Sequence, residues 1–435
     1  MSKAMLRRLS VALKPATAKA GVAPLEPSSL AAFLVQSKEK YLSEAGGEWT
    51  VVMGNEAGGT PLILFTPNIL TIHRCVDLDT LASSIAVAWI RSEVHQKPSI
   101  PLIQIARDDL HLRAENLHAL RVAGIADPEK QLFSISDAPK PIASTSFALV
   151  DHNRLGAAFG SDNAHVVAVL DHHADEGLYP DADPRRIEPA GSCASHVATV
   201  LAKDVELPKE LATLLLCAIL IDTDGLKPGG KALQVDHDAA AYLIPLSKLS
   251  TSTTTTTGVL PAPIKALSDE LAAKKFDVSH LGAWDLLRRD YKEYSLTLNW
   301  HESKLNVKAG LATVPVKLKT WGAGTGSMER EAVRWMDEQG LAILGVLTSF
   351  RDKSKFGKSG KGKHKREMAW FVKDDKIADR LWKGLEADPE VRVKSHKKLK
   401  LVVDGVHSRV YKQGNAHATR KSTAPLLKKI VESES

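Results

Sequence analysis

The sequence predicts an α/β protein: a mostly parallel sheet domain followed by a smaller α+β domain. Short apolar runs, among them Val51-Val52-Met53, Ala148-Leu149-Val150 and Val166-Val167-Ala168-Val169-Leu170, alternate with helical stretches through residues 26–249. Apolar strands of that length set between helices are buried on both faces, which is the pattern of a parallel sheet. Residues 250–262 read Ser-Thr-Ser-Thr-Thr-Thr-Thr-Thr-Gly-Val-Leu-Pro-Ala, a linker, because a threonine run has little to bury. Residues 263–430 then change texture, with helical pieces alternating with strands in the manner of an α+β domain.

The elements follow in order. A helix is expected over 29–41, with Leu30, Phe33 and Leu34 on one side, and a strand over 50–54 that delivers Asn55. Residues 58–76 are unusual: two apolar runs, 62–65 and 69–72, flank Pro67-Asn68 and form either a hairpin or an apolar loop. A nearly all-apolar helix over 80–95 belongs in a buried layer. Strands over 100–105, 132–135, 147–150 and 166–170 and a helix over 110–123 continue the alternation. Gly191-Ser192-Cys193-Ala194-Ser195 opens a helix to Leu201, whose free N–H groups suit an oxyanion or phosphate. A buried helix from 208 is expected to run into a strand end at 219–222. Beyond the linker, helices are expected over 264–275, 282–290 and 328–339. Strands are expected over 305–309, 341–349, 368–372, 399–403 and 406–411, with a short helix after Pro425.

The 435 residues can fill two cores, and 44% hydrophobic with 25% charged residues is the balance of a soluble globular chain. No run reaches the length of a membrane span, so no membrane partner is expected. Cys75, Cys193 and Cys217 make neither a disulfide framework nor a CxxC pair, which favours a reducing compartment. The net charge of +7 is concentrated: residues 351–366 carry +7 and residues 1–25 carry +5, leaving −5 on the rest. The acid-free basic tail over 1–25 is read as an unstructured tail of a cytoplasmic protein or, alternatively, a mitochondrial presequence. The polybasic loop 351–366 lacks a Walker pattern and attracts polyanions by charge alone. No aromatic stacking platform accompanies it, so no specific nucleic-acid partner is expected.

Several apolar runs end in an acid, an amide or imidazoles. If these ends converge, Asn55, Asp77, Asp79, Asp151, His172 and Asp222 offer oxygen and nitrogen ligands without a thiol, a set suited to two Mg²⁺ or Mn²⁺ ions. Such ions, roughly 3.5–4 Å apart, acidify a water and steady the oxygens of an in-line displacement. No Ser-His-Asp or Cys-His nucleophile is evident, so a metal-activated water is the expected attacker. Phosphoryl chemistry also needs cations, for which Arg288, Arg289, Lys292, Arg420 and Lys421 are candidates.

Asp77-Leu78-Asp79, Leu149-Val150-Asp151, Leu170-Asp171-His172-His173, Gly191-Ser192-Cys193-Ala194-Ser195 and Ile221-Asp222-Thr223-Asp224 together resemble the DHH phosphoesterase superfamily. Arg289-Asp290-Tyr291-Lys292 and the run from Gln413 to Lys421, which ends Thr419-Arg420-Lys421, resemble its DHHA2 domain. The resemblance covers about residues 45–430. It implies a DHH domain over 26–249, a DHHA2 domain over 263–430 and an active site in the cleft between them. That branch holds family II inorganic pyrophosphatases, prune-like proteins and cytosolic exopolyphosphatases. Gly54-Asn55-Glu56-Ala57 matches the fungal exopolyphosphatases better than the bacterial pyrophosphatases, which use a histidine where Asn55 falls. The resemblance implies that Asp79, Asp151, His172 and Asp222 bind metal, with Asp77 a ligand or its support. It implies that His173 faces the substrate or a leaving phosphate oxygen and that Arg420 and Lys421 clamp phosphate when the second domain closes, with Lys292 of the first DHHA2-like motif a further candidate.

The reaction so implied is release of orthophosphate from the end of inorganic polyphosphate by a monomer. The alternatives are pyrophosphate or a short polyphosphate as substrate, or a polyanion-binding protein that has lost activity. One departure bears on this choice. Where the family pattern has one residue, 19 separate Ala57 from Asp77 here. The stretch is either a genuine insert beside the metals or a translated intron, since the 18 extra residues keep the reading frame and Gly59-Thr60 can encode a GT donor.

Overall fold

The computed structural model describes residues 29–44, 48–54, 76–250, 260–352 and 362–434. Its first sheet holds β1 (Thr50–Gly54), β2 (Ser99–Ile103), β3 (Phe133–Ser134), β4 (Ser146–Val150), β5 (His165–Asp171) and β6 (Arg185–Ile187). The order is β3-β2-β1-β4-β5-β6, with every pair parallel. Around it run α1 (Ser29–Ser43), α2 (Leu78–Trp89), α3 (Ala114–Val122), α4 (Pro128–Gln131), α5 (Cys193–His196), α6 (Lys209–Asp222), α7 (Gln234–Leu246) and α8 (Ala262–Phe276). A π-helical turn prolongs α2 over Ile90–Val94 and another prolongs α5 over Val197–Leu201.

Alternation along the strands explains the two cores. Val52, Ala148, Val150 and Leu170 face α2 and α5, while Val51, Met53, Leu149 and Val169 share the other face with Phe133 and Phe147 and pack with Tyr41. The apolar run expected to end in a strand at 219–222 is instead the last turn of α6. That helix is enclosed by α2, α5, α7 and α8, and every residue from Leu211 to Ile221 is buried. A run apolar on all sides has no period with which to tell helix from strand.

The second sheet holds β7 (Tyr291–Thr297), β8 (Asn306–Val314), β9 (Ile343–Thr348), β10 (Phe350–Asp352), β11 (Lys363–Val372), β12 (Val393–Ser395) and β13 (His407–Gln413), in the order β12-β13-β11-β9-β8-β7 with β10 beside β11. Only the β8–β9 pair is parallel among the described ladders, so this is a mixed sheet. One face packs on α9 (Ala283–Arg289) and α10 (Ser327–Gln339), the other on α11 (Asp375–Ala387) and α12 (Arg420–Glu432). The strand expected over 399–403 is a loop whose Leu399 and Leu401 still pack inward. The helix expected after Pro425 begins earlier, at Arg420, capped by Thr419.

The two sheets are tied by buried charge. Ile264, Leu267 and Leu271 of α8 pack into the core of the first sheet. Arg288 donates to Asp109 at 2.6 Å, and Arg289 donates to the carbonyls of Leu112 (3.0 Å) and Lys275 (2.8 Å) and to Glu115. Both arginines, read from sequence as phosphate candidates, are spent on this seam. The tail 1–25, Asn55, most of the 58–76 stretch, most of the threonine run and residues 353–361 lie outside the described residues. The described ends of the polybasic stretch, Arg351–Asp352 and Lys363–Arg366, are strand rather than loop. Among the described residues no helix is long and apolar enough to cross a membrane.

Candidate metal centre and active site

The strand order of the first sheet reverses direction between β1 and β4, and the carboxyl ends on either side of such a switch point open a crevice. β4 hands over to Asp151, β5 ends at Asp171 and is followed by His172 and His173, and α2 begins above β1. Asp77 caps α2, its carboxylate accepting from the Thr80 N–H at 3.0 Å. A Cβ at Gly54 would stand 2.0 Å from Thr80 Cγ2, so glycine there is what lets α2 start this close to β1.

Asp79, in the first turn of α2, is buried and held by three donors. It accepts from Ser192 Oγ (2.7 Å), Cys193 N (2.6 Å) and Ala194 N (2.8 Å). The helix start read from sequence as a phosphate cradle therefore grips an internal carboxylate, which satisfies the same orphan N–H groups. Burial raises the pKa of Asp79, and the charge of Asp77 adds to the rise.

Asp151 adopts φ +60°, a left-handed conformation that aspartate tolerates better than most residues. The Thr80 hydroxyl donates to its carboxylate, and its Oδ1 lies 3.0 Å from His172 Nε2. Burial, then the charge of Asp77, pushes Asp151 up to about 7. The Nδ1 of His172 donates to the Ala190 carbonyl at 3.0 Å, which turns Nε2 toward Asp151 and, at 3.8 Å, Asp79. Burial opposes its protonation, yet the two carboxylates carry His172 up to about 10.

His173 sits edge-on to His172, with its Nδ1 2.8 Å from Asp171 Oδ1 and 3.7 Å from Asp151 Oδ1. Asp171 thereby holds the ring, and among the described residues Nε2 has no hydrogen-bond partner. Asp151, His172 and His173 offer ligand atoms all within 4.8 Å of one another. Asp222, at the end of α6, stands 3.6 Å from Lys275 Nζ. Burial, followed by the charge of Asp79, holds its pKa well above the carboxylate range. Asp79, Asp151, His172 and His173 are thus brought together, with Asp77 and Asp222 acting on them through their charge.

A second, basic group belongs to the other sheet. Lys292 lies on β7 and Arg420 at the start of α12, where its guanidinium meets the Asp290 carboxylate at 2.8 Å and the Asp290 carbonyl at 3.0 Å. Burial, then the charge of Arg420, pushes Lys292 down to about 8. Lys421 is exposed beside them. Among the described residues no hydrogen bond or ion pair joins this basic group to the carboxylates and imidazoles.

Sequence reasoning passed over the residues that position these groups. Asn153 donates to Asp171, and Asp236 accepts from Gly191 N (2.8 Å) and Ser195 Oγ (2.6 Å), bracing the segment that holds Asp79. Asp290 sits within the Arg289-Asp290-Tyr291-Lys292 motif, whereas nothing near Asp236 in the chain signals its partners.

Residues 68–219 match the DHH family, N-terminal domain, and residues 269–430 match the DHHA2 domain. This chain belongs to the DHH/DHHA2 superfamily. Its DHH match contains the carboxylate–imidazole cluster among the described residues up to Asp171, His172 and His173, and its DHHA2 match contains Asp290, Lys292, Arg420 and Lys421. The chain is 28% identical to the Schizosaccharomyces pombe protein named "Putative exopolyphosphatase" over 82% of this chain and 88% of that one. It is 24% identical to Rattus norvegicus "Exopolyphosphatase PRUNE1" over 82% of this chain and 74% of that one. An Archaeoglobus fulgidus protein named "Probable manganese-dependent inorganic pyrophosphatase" is 26% identical over 52% of this chain and 66% of its own.

Proposed function

We propose that this DHH/DHHA2 protein is a metal-dependent exopolyphosphatase that releases orthophosphate from the end of inorganic polyphosphate. The observation that carries the reading is the cluster at the β1/β4 switch point: buried Asp79 and Asp151 and half-buried Asp222 lie near enough for charge on one to raise the pKa of another, around an imidazole turned toward Asp151 and Asp79. Carboxylates so crowded call for a cation, and oxygen with imidazole nitrogen and no free thiolate suits Mg²⁺ or Mn²⁺. Cys193 does not compete, since burial raises its thiol and its Sγ donates to the Leu170 carbonyl.

Asp79, Asp151, His172 and Asp222 would hold the ions, with Asp77 and Asn55 beside them. When bound, such ions polarise water and the phosphate oxygens. The rest falls to the chain's own groups. Arg420 and Lys421, with Lys292, neutralise the non-bridging oxygens of the terminal phosphate. His173, its Nδ1 tied to Asp171, offers Nε2 to the leaving phosphate oxygen. Closure of the DHHA2 domain over the crevice would bring the basic group to the metals.

A polyphosphate substrate is favoured over pyrophosphate because the likeness to proteins named exopolyphosphatase runs across both domains, whereas the likeness to the archaeal pyrophosphatase covers about half the chain. The test is orthophosphate release by the full-length protein with Mg²⁺ or Mn²⁺, from long polyphosphate and from pyrophosphate in parallel. Faster release from the polymer, abolished by Asp151→Asn, is the expected result. Faster release from pyrophosphate would replace the reading by pyrophosphatase, and no release from either would leave a polyanion-binding protein.

A further inference from the structure

The opposite pole of the first sheet holds a basic cavity that the catalytic reading does not use. Arg91, in the π-helical turn that prolongs α2, is 9% exposed. Its Nε donates to Ser99 Oγ at 3.2 Å and its Nη2 to Thr50 Oγ1 at 3.1 Å. Both acceptors are neutral hydroxyls on the first residues of β2 and β1, and Nη1 has no hydrogen-bond partner among the described residues. Neither Arg91, His95 nor Lys97 makes an ion pair among the described residues. Arg91 lines a cavity of about 200 Å³ together with His95 and Lys97, with Asp183 the only acid among the described residues of its wall and Val87 and Leu201 among its apolar residues.

A guanidinium stays charged in any folded protein, and a buried charge without a counter-ion is costly. Burial lowers the pKa of Arg91, with no neighbouring carboxylate acting to restore it. We infer that the cavity is a binding site for a small phosphate-type oxyanion, the counter-ion that Arg91 lacks. Arg91 supplies free donors from below and Lys97 and His95 supply them from the rim, so several oxygens of one tetrahedral anion are met at once. The small volume and apolar walls suit a free anion rather than a polymer. The site is separate from the metal centre, since twelve residues of continuous helix from Asp79 to Arg91 span roughly 18 Å. It does not depend on the chain being a polyphosphatase.

Calorimetric titration of inorganic phosphate into chelator-treated protein carrying Arg420→Ala and Lys421→Ala isolates this site from the catalytic one. One binding event is expected to remain at millimolar phosphate. Adding Lys97→Met with His95→Gln should weaken it about tenfold while the circular dichroism spectrum is unchanged, since both residues are exposed. Arg91→Met should abolish it, and the rim variants keep the test valid if that variant does not fold. Absence of the event in the clamp-deficient background, or its persistence at full strength in the rim variants, would overturn the inference. A tungstate soak of crystals of the wild-type protein should place an anomalous peak beside Arg91. A peak confined to Lys292 and Arg420 would count against it.

Discussion

The carboxylate of Asp290 meets the guanidinium of Arg420 at 2.8 Å, and the backbone carbonyl of the same residue takes a second N–H of that guanidinium at 3.0 Å. One residue therefore fixes the plane of the arginine from both its side chain and its main chain. Asp290→Asn keeps the carbonyl bond and removes the charged one, worth about 1.5–3 kcal/mol. On the proposed reading the KM for polyphosphate should rise on the order of tenfold, and the melting temperature should fall with the lost ion pair. Steady-state kinetics with Arg420→Lys alongside check this, because a lysine cannot accept the two-point hold.

With Lys292 holding phosphate as proposed, the reaction should be sensitive to alkaline pH. Its ammonium is pushed down to about 8 from 10.5, so it loses its charge as the pH rises through that value. KM should climb above about pH 8 and the climb should vanish in Lys292→Arg. The stability effect has the opposite sense. Between about 8 and 10.5 the unfolded chain binds the proton that the folded one has released, so this group's contribution to stability increases with pH across that window.

The metal-free protein should be strained by its own carboxylates. Asp151 rises from 3.8 to about 7 on folding, so the folded state holds the proton more tightly than the unfolded one. Its contribution to stability is present below pH 3.8 and is lost as pH rises toward 7. At neutral pH, Asp151→Asn should raise the melting temperature of the chelated protein. Mn²⁺ at a hundred times its Kd should stabilise the wild-type protein by about 2.7 kcal/mol and the variant by much less. Calorimetric melts with and without chelator decide this, and a lower metal-free melting temperature in the variant would contradict it.

The seam between the sheets should be costly to break. Arg288→Met leaves Asp109, only 6% exposed, without its 2.6 Å partner. A loss of about 3–5 kcal/mol is expected, with Asp109→Asn/Arg288→Met milder than the single change. Denaturant titrations of the three proteins measure both.

Much of this was legible in the chain because burial leaves a local mark. The runs before Asp151 and His172 are apolar on both faces of their strands, and that alone predicts a covered parallel sheet with polar strand ends. Asp79, Asp151, His172 and Asp222 could be singled out because each follows or opens such a run. The same signal misled at 219–222, where α6 is surrounded and its apolar residues carry no period. It was silent about Asp236, whose partners Gly191 and Ser195 lie more than forty residues earlier.

By itself, then, the sequence determined the two-part architecture, the acid and imidazole strand ends and the basic residues of the second domain, because hydrophobic periodicity and residue chemistry are local properties. Only the tertiary structure decided how those groups are used. It filled the helix start at Ser192–Ala194 with Asp79, turned His172 toward Asp151 through the Ala190 carbonyl, spent Arg288 and Arg289 on the seam, and left Arg91 without an ion pair among the described residues. Each of these depends on which crossover brings distant strands and helices together, and a hydrogen bond between residues a hundred positions apart has no trace in the chain around either partner.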